Sequence, residues 1–410
     1  MNKDENKNIL YISYDGMTDP LGQSQVLPYI IGLAKMGYRF TLISCEKKGR
    51  FEKERDEIMG LCEENGIEWY PLPFTSFPPF LSKWLDLRRI KNLAFKLHKE
   101  KKFLMAHCRS YIAAEVGLKL KRTFGTKFFF DTRGFWVDER VDGGLWNLKN
   151  PFFRYLYHVY KKKEQDYIRM ADCIVTLTEA AKTEIERWPA YEGTPIVVIP
   201  CSADFGLFRV ADKAEQHVAK ERLNVFDAHP IVGYLGSVGT WYLLDEMLLF
   251  FKLLIQKYPK AHFLFLTAES PDFILQKAKR IGVPEKSISI CFAPRREVPD
   301  FLSACDFSLS FIKPAYSKIA SSPTKLGELL AMGIPVITNG NVGDVEWIIK
   351  NMEAGVVIND FSIETLQLAI NDVVSLFDMD RGALRQRAAG YYNLEDALIN
   401  YKNAYKSTIK

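Results

Sequence analysis

No apolar run in this 410-residue chain approaches the roughly eighteen residues a helix needs to cross a bilayer. The opening stretch, MNKDENKNIL, has no apolar centre, so no secretory signal is expected. The seven cysteines (Cys45, Cys62, Cys108, Cys173, Cys201, Cys291 and Cys305) include no Cys-x-x-Cys pair. Several stand inside strand-like runs such as LISC and DCIVTL, as buried free thiols of a reducing compartment do. Charge is nearly balanced, 55 Lys and Arg against 50 Asp and Glu, with no concentrated basic stripe of the kind nucleic acid requires. The pair Asp378-Met-Asp380 lies in the wrong region for a metal site, and no metal is expected. These absences leave a cytoplasmic protein that at most touches a membrane from the inner side.

What is present is core. Apolar residues make up 48% of a chain too long for one typical domain. Strand-like runs fall at 8–13, 39–45, 67–72, 103–108, 127–131, 172–177 and 195–199, and again at 231–235, 262–267, 287–291, 307–311, 334–338 and 355–358. Most intervals between them carry helical periodicity, as at 26–36, 88–100 and 242–257. Alternating strands and helices predict α/β domains with parallel sheets covered on both faces. No internal sequence repeat is found, so the halves share an architecture and not residues. The expected division is residues 1–203, 204–388 and a terminal helical segment 389–410.

Residues 321–345, SSPTKLGELLAMGIPVITNGNVGDV, read as loop, helix, strand and Gly-rich turn. Pro323 is expected to start the helix, because the N–H it lacks has no partner in the first turn. The free N–H groups of that turn suit a diphosphate. Glu328, further in, has the reach to accept two hydroxyl hydrogen bonds, as from a ribose. Glu328 followed by Ala331, Gly333, Pro335 and Val336 closely resembles the nucleotide-sugar site of retaining glycosyltransferases of family 4, here in an S-P-T-K-x-x-E form. Ile199, Pro200, Asp204 and Phe208 resemble the interdomain linker of the same family. The resemblance implies the GT-B fold: two Rossmann-like, doubly wound domains facing a central cleft, with the last helix crossing back to the first. It implies an N-terminal acceptor domain and a C-terminal donor domain. Ser322, Pro323, Thr324, Lys325, Leu326 and Glu328 would line the donor.

Two departures from the family stand out. The turn 233–240, GYLGSVGT, offers Gly236 and Ser237 to a phosphate. Relatives place an Arg and a Lys shortly after it; this chain has Thr240, Trp241, Tyr242 and Leu243, and no basic residue before Lys252. Another cation must then stabilise the leaving diphosphate. Lys325 is the first candidate, and Arg295 and Arg296 are next. The family's first Glu, separated from the second by seven residues, is Ala320 here.

In the first half, the segment 14–25, YDGMTDPLGQSQ, resembles a Gly-rich loop near the donor phosphates. Gly22 would approach them, and Asp15 and Asp19 either contact acceptor hydroxyls or cap a helix. The loop DTRGFWVDER puts Arg133 where relatives carry a His near the reacting sugar. Arg133 suits an anion through its planar fork, or pairs locally with Asp131. Asp138 and Glu139 are candidates for orienting an acceptor, and His107 is either at that mouth or structural. Residues 81–102 form a basic amphipathic helix preceded by Phe74, Phe77, Pro78, Pro79 and Phe80; it is either a solvated face or a contact with an anionic membrane.

The reading is a retaining, metal-independent glycosyltransferase. It would use a nucleoside diphosphate sugar, UDP or GDP, and a glycan or lipid-linked acceptor, in surface polysaccharide or glycolipid synthesis. Arg133, Lys325 and Glu328 would be its catalytic residues. The alternatives are an inactive scaffold of the same fold, a sugar-nucleotide epimerase and a phosphorylase.

Overall fold

The computed structural model describes residues 7–78 and 81–410. The chain forms two compact units, one of Met1–Pro200 with Leu394–Lys410 and the other of Cys201–Asn393. The first unit contains β1 (Asn8–Ser13), β2 (Arg39–Glu46), β3 (Glu68–Pro73), β4 (Met105–Arg109), β5 (Lys127–Asp131), β6 (Cys173–Thr176) and β7 (Ile196–Val198). They make one parallel sheet in the order β3-β2-β1-β4-β5-β6-β7. The second unit contains β8 (Ile231–Leu235), β9 (His262–Leu266), β10 (Ile288–Cys291), β11 (Phe307–Ser310), β12 (Val336–Asn339) and β13 (Gly355–Ile358). Its parallel sheet runs β10-β9-β8-β11-β12-β13.

Both orders are doubly wound, and each reverses direction beside its first strand. The central strands are buried on both faces, which is why they read as continuous apolar runs such as Phe128-Phe129-Phe130. Helix ends follow local chemistry. Asn150 caps the helix Pro151–Met170 by accepting the N–H of Phe152. Gly125 closes Ser110–Phe124 in the left-handed region at φ 72°. The reversal points lie between β1 and β4, and between β8 and β11. Doubly wound sheets open a crevice outside the strand carboxyl ends at such points.

The terminal helix Leu394–Ile409 belongs to the first unit and lays Tyr401 and Tyr405 on its sheet. Tyr405 meets Tyr38 and Phe129 edge-on at 5.2 and 5.1 Å. Gly32 lets Leu398 approach closely, since a Cβ there would stand 2.3 Å from Leu398 Cδ1. Residues 389–393, grouped above with this helix, stay with the second unit. Tyr392 is fully buried there against Gly327, and Ala203 donates its N–H to the Tyr392 carbonyl at 2.9 Å.

Tyr405→Ala should lower the first unit's unfolding free energy by about 3–5 kcal/mol, the usual loss for a large buried ring. Tyr405→Phe should cost about 1–2 kcal/mol, for the hydroxyl that meets His107. Urea unfolding of both variants checks this.

Candidate active site

In the second unit, the chain leaves β8 through Gly236 and Gly239, both in the left-handed region at φ 109° and 113°. It then runs antiparallel to the segment leaving β11. Leu243 donates its N–H to the Phe311 carbonyl at 3.1 Å, and Lys313 donates to the Trp241 carbonyl at 2.8 Å. Asn339, the last residue of β12, locks this from below. Its Oδ1 accepts the N–H of Ile312 at 2.8 Å, and its Nδ2 donates to the Ile312 carbonyl at 2.9 Å. The rings of Trp241 and Tyr242 are thereby set beside the strand ends.

Two lysines meet those rings from a distant stretch of chain. The Lys325 Nζ, on the helix Thr324–Ala331, lies 3.6 Å from the Tyr242 ring centre and 4.3 Å from that of Tyr234. It donates to the Tyr234 hydroxyl at 3.1 Å. The Lys318 Nζ, on the 3-10 turn Tyr316–Ala320, lies 3.6 Å over the Trp241 ring. Ring faces attract a desolvated ammonium. A Cβ on Gly236 would stand only 3.1 Å from Lys325 Nζ, so the glycine turn and the ammonium share one spot. Burial pulls the Lys325 pKa down to about 7, and Glu328 only partly opposes that.

Glu328, 5% exposed, lies on the same helix. Its Oε1 accepts from Arg295 Nη1 at 2.5 Å. Burial raises its pKa, against the pull of Arg295 and Lys325. Three expectations need correction here. Arg295 is engaged with Glu328 and packs over Phe208, so it is not a spare diphosphate cation, and Arg296 is exposed. Pro323 caps the helix rather than starting it: its ψ of 114° is extended, and its carbonyl accepts the N–H of Leu326. The Leu326 side chain is buried in the core, which leaves only its backbone to a donor. Ser322 Oγ accepts the Cys201 N–H at 3.2 Å, Thr324 opens the helix, and the Ser237 carbonyl accepts the Tyr234 hydroxyl.

In the first unit, the ends of β1, β4 and β5 gather Asp15, His107, Arg109, Asp131 and Arg133. Arg133 is held at φ 57°, with Nη1 3.8 Å from Asp131 and Nη2 3.5 Å from Gln25 Oε1. Burial raises the Asp131 pKa, but Arg133, His107 and Arg109 outweigh it and hold the carboxyl low. His107 is not at an open mouth. It is 2% exposed among Tyr11, Phe129, Tyr401 and Tyr405, with Nδ1 2.5 Å from the Tyr405 hydroxyl, and burial lowers its pKa. Asp138 is likewise turned inward, accepting from Tyr157 at 2.8 Å and Lys161 at 2.9 Å. Its neighbour Glu139 is partly exposed; burial lowers the Arg140 pKa, and Glu139 only partly opposes that. Asp19 pairs with Lys47 and Arg50. Gly22 has an internal reason to be glycine: a Cβ would stand 2.1 Å from the Gly16 carbonyl. Among the described residues, no group of three or more His, Cys, Asp or Glu side chains converges as a metal site.

Residues 25–206 match the family model described as Glycosyltransferase Family 4, and residues 215–389 match that described as Glycosyl transferases group 1. The chain belongs to the GT-B glycosyltransferases. A curated relative, D-inositol 3-phosphate glycosyltransferase of Segniliparus rotundus, is 20% identical over 320 residues, 76% of this chain and 68% of the relative. Among solved structures, sucrose-phosphate synthase from Thermosynechococcus elongatus has a TM-score of 0.71 at 15% identity, covering 98% of each chain. Anabaena HepE in complex with UDP and glucose has a TM-score of 0.69 at 13% identity, covering 97% of this chain and 99% of its own.

Sequence reading of this glycosyltransferase missed Tyr234, Trp241, Tyr242, Lys318 and Arg109. Two aromatics standing where relatives carry cations were the available signal for the first group. No periodicity or motif pairs them with lysines more than seventy residues away.

The buried lysine has a measurable signature. Between pH 7 and the ordinary lysine range near 10.4, the unfolded chain holds a proton that folded Lys325 has lost, so stability gains with rising pH. Below pH 7 both states are protonated and the contribution is constant. The stability difference between wild type and Lys325→Met should grow by up to about 1.4 kcal/mol per pH unit from pH 7 to 9. Urea unfolding across that range checks it.

Proposed function

We propose that this protein transfers a sugar from a UDP- or GDP-sugar to an acceptor hydroxyl with retention of anomeric configuration. Lys325 and Lys318 would supply the cations absent after the Gly-rich turn. The observation that carries the reading is their placement: each ammonium lies 3.6 Å from the ring centre of Tyr242 or Trp241, and that of Lys325 stands beside Gly236. In this reaction the bond from the sugar's anomeric carbon to the diphosphate oxygen breaks, and a bond to the acceptor oxygen forms on the same face. The acceptor's proton leaves with the phosphate. Charge grows on the diphosphate as it departs, and ammonium groups already stripped of water are placed to stabilise it. Glu328, whose Oε1 is oriented by Arg295, would take the ribose hydroxyls with its other oxygen. Arg133 would be the catalytic residue contributed by the first domain. The similar Anabaena structure holds UDP and glucose, which favours uracil as the base.

UDP or GDP at a hundred times its dissociation constant should stabilise the fold by about 2.7 kcal/mol. Glu328→Ala should weaken that binding on the order of a hundredfold. Lys325→Ala should lower kcat/KM by roughly 10²–10³. The affinity of wild type should fall as pH rises above 7, because binding then requires Lys325 to take up a proton; in Lys325→Ala this dependence should vanish. If none of UDP, GDP, ADP, CMP or dTDP stabilises the protein at millimolar concentration, the inactive-scaffold reading replaces this one.

A lipid-linked acceptor at a membrane surface is part of the proposal. The helix Leu81–Lys101 buries Asp86, which accepts from Tyr14, Thr75 and Arg89, so that carboxylate offsets Arg89 and leaves the other outer lysines and arginines unbalanced by it. Phe77, Leu81 and Trp84 are exposed beside them. Pro79 and Phe80 lie outside the described residues. No helix among the described residues is long and apolar enough to cross a membrane. Vesicles containing phosphatidylglycerol should sediment the protein and phosphatidylcholine vesicles should not. Trp84→Ala with Arg88→Gln should reduce that binding at least severalfold, and equal sedimentation with both vesicle types would remove the membrane from the proposal.

A further inference from the structure

We propose that Arg109, with Asp131, forms a subsite in the first domain for an acceptor that carries both an oxyanion, phosphate or carboxylate, and a hydroxyl. This rests on the transferase reading and names the class of its acceptor.

Arg109 ends β4 in register with Ser13 at the end of β1 and Asp131 at the end of β5. Parallel strands in register point such side chains to one face. The position is also the reversal point of the first sheet, where doubly wound domains take their ligands. Arg109 is 3% exposed, yet Nε and Nη1 have no hydrogen-bond partner among the described residues. The nearest carboxylate, Asp15, lies 3.6 Å from Nε, beyond hydrogen-bond reach, and is itself 42% exposed. On the neighbouring strand, Asp131 Oδ1 is buried and equally unpartnered. Its other oxygen is already shared between the Tyr401 hydroxyl at 3.1 Å and His107 Nε2 at 3.4 Å.

Buried polar groups left unsatisfied are costly, and a guanidinium is among the costliest. Here two guanidinium donors and an acceptor oxygen stand unfilled on adjacent strand ends. They do not satisfy one another, so a third body that accepts from one and donates to the other completes both. An oxyanion suits the arginine fork, which binds carboxylate and phosphate through two parallel bonds. A hydroxyl suits Asp131 Oδ1, because a carboxylate only accepts. Glycosyl phosphates and uronic acids carry both groups. Neutral sugars lack the first.

Inorganic pyrophosphate is the probe, titrated calorimetrically into the full chain in the presence of saturating UDP so that the donor site is filled. Wild type should still bind it, and Arg109→Gln should weaken that binding at least tenfold while changing UDP affinity less than twofold. Arg109→Lys keeps the charge but loses the fork, and should lie between them. Asp15→Asn, at a half-exposed position, removes the competing carboxylate and should tighten pyrophosphate severalfold. Three results would overturn the proposal. The first is no pyrophosphate binding beside UDP in wild type, with a bridging water then satisfying both groups. The second is unchanged binding in Arg109→Gln and Asp15→Asn. The third is a loss of UDP affinity in Arg109→Gln equal to the loss for pyrophosphate, which would assign the guanidinium to the donor. Failure of any nucleotide to bind would instead count against the transferase reading; pyrophosphate titration without UDP would still test Arg109.

Discussion

An ammonium removed from water with only ring faces, a phenol oxygen and a distant carboxylate around it is the constraint on which the second domain's site depends. Burying an unpaired charge costs several kcal/mol, and a lysine so placed lowers its pKa instead. At Lys325 burial brings the pKa down to about 7. The faces of Tyr242 and Tyr234 recover part of the cost, and an incoming diphosphate would recover the rest. A cation that is poorly satisfied at rest can bind a leaving group more strongly than it binds water.

The surrounding architecture serves that arrangement. Asn339 at the end of β12 holds the segment after β11, which pairs with Trp241 and Leu243 and so orients the rings. Glu328 does not neutralise Lys325 because Arg295 occupies it first. One carboxylate and two cations on neighbouring elements are thereby sorted into a bonded Arg295–Glu328 pair and an ammonium held by Tyr234 and Tyr242. The first domain repeats the logic with different residues. Asp131 is shared between His107, Tyr401 and Arg133, and Arg109 is left over.

The fold was legible because parallel, doubly covered strands carry an unbroken apolar signal. All thirteen expected strands are present, most within two residues of their expected ends. The helix and strand around Glu328 were equally plain, since Gly333, Pro335 and the apolar run leave few other conformations. Less legible were the acceptor candidates. His107 and Asp138 lie beside the right strand ends, but His107 is enclosed by rings from the terminal helix and Asp138 by Tyr157 and Lys161. Whether a polar side chain faces a ligand or a neighbour depends on contacts from other elements of the fold, for His107 on the terminal helix and for Asp138 on the helix Pro151–Met170, and no local pattern encodes them.

Residue order alone determined the strand succession, the two-domain division of a long apolar chain, the helix that carries Lys325 and Glu328, and the absence of basic residues after the Gly-rich turn. Those are properties of short windows, set by backbone propensity, periodicity and the special geometry of glycine and proline. Tertiary structure alone decided which lysines meet the rings after the Gly-rich turn, which arginine is consumed by Glu328 and which keeps two donors unfilled at the end of β4. Those outcomes turn on distances of a few ångströms between segments far apart in the chain, and charge energetics in a dry interior change steeply over such distances.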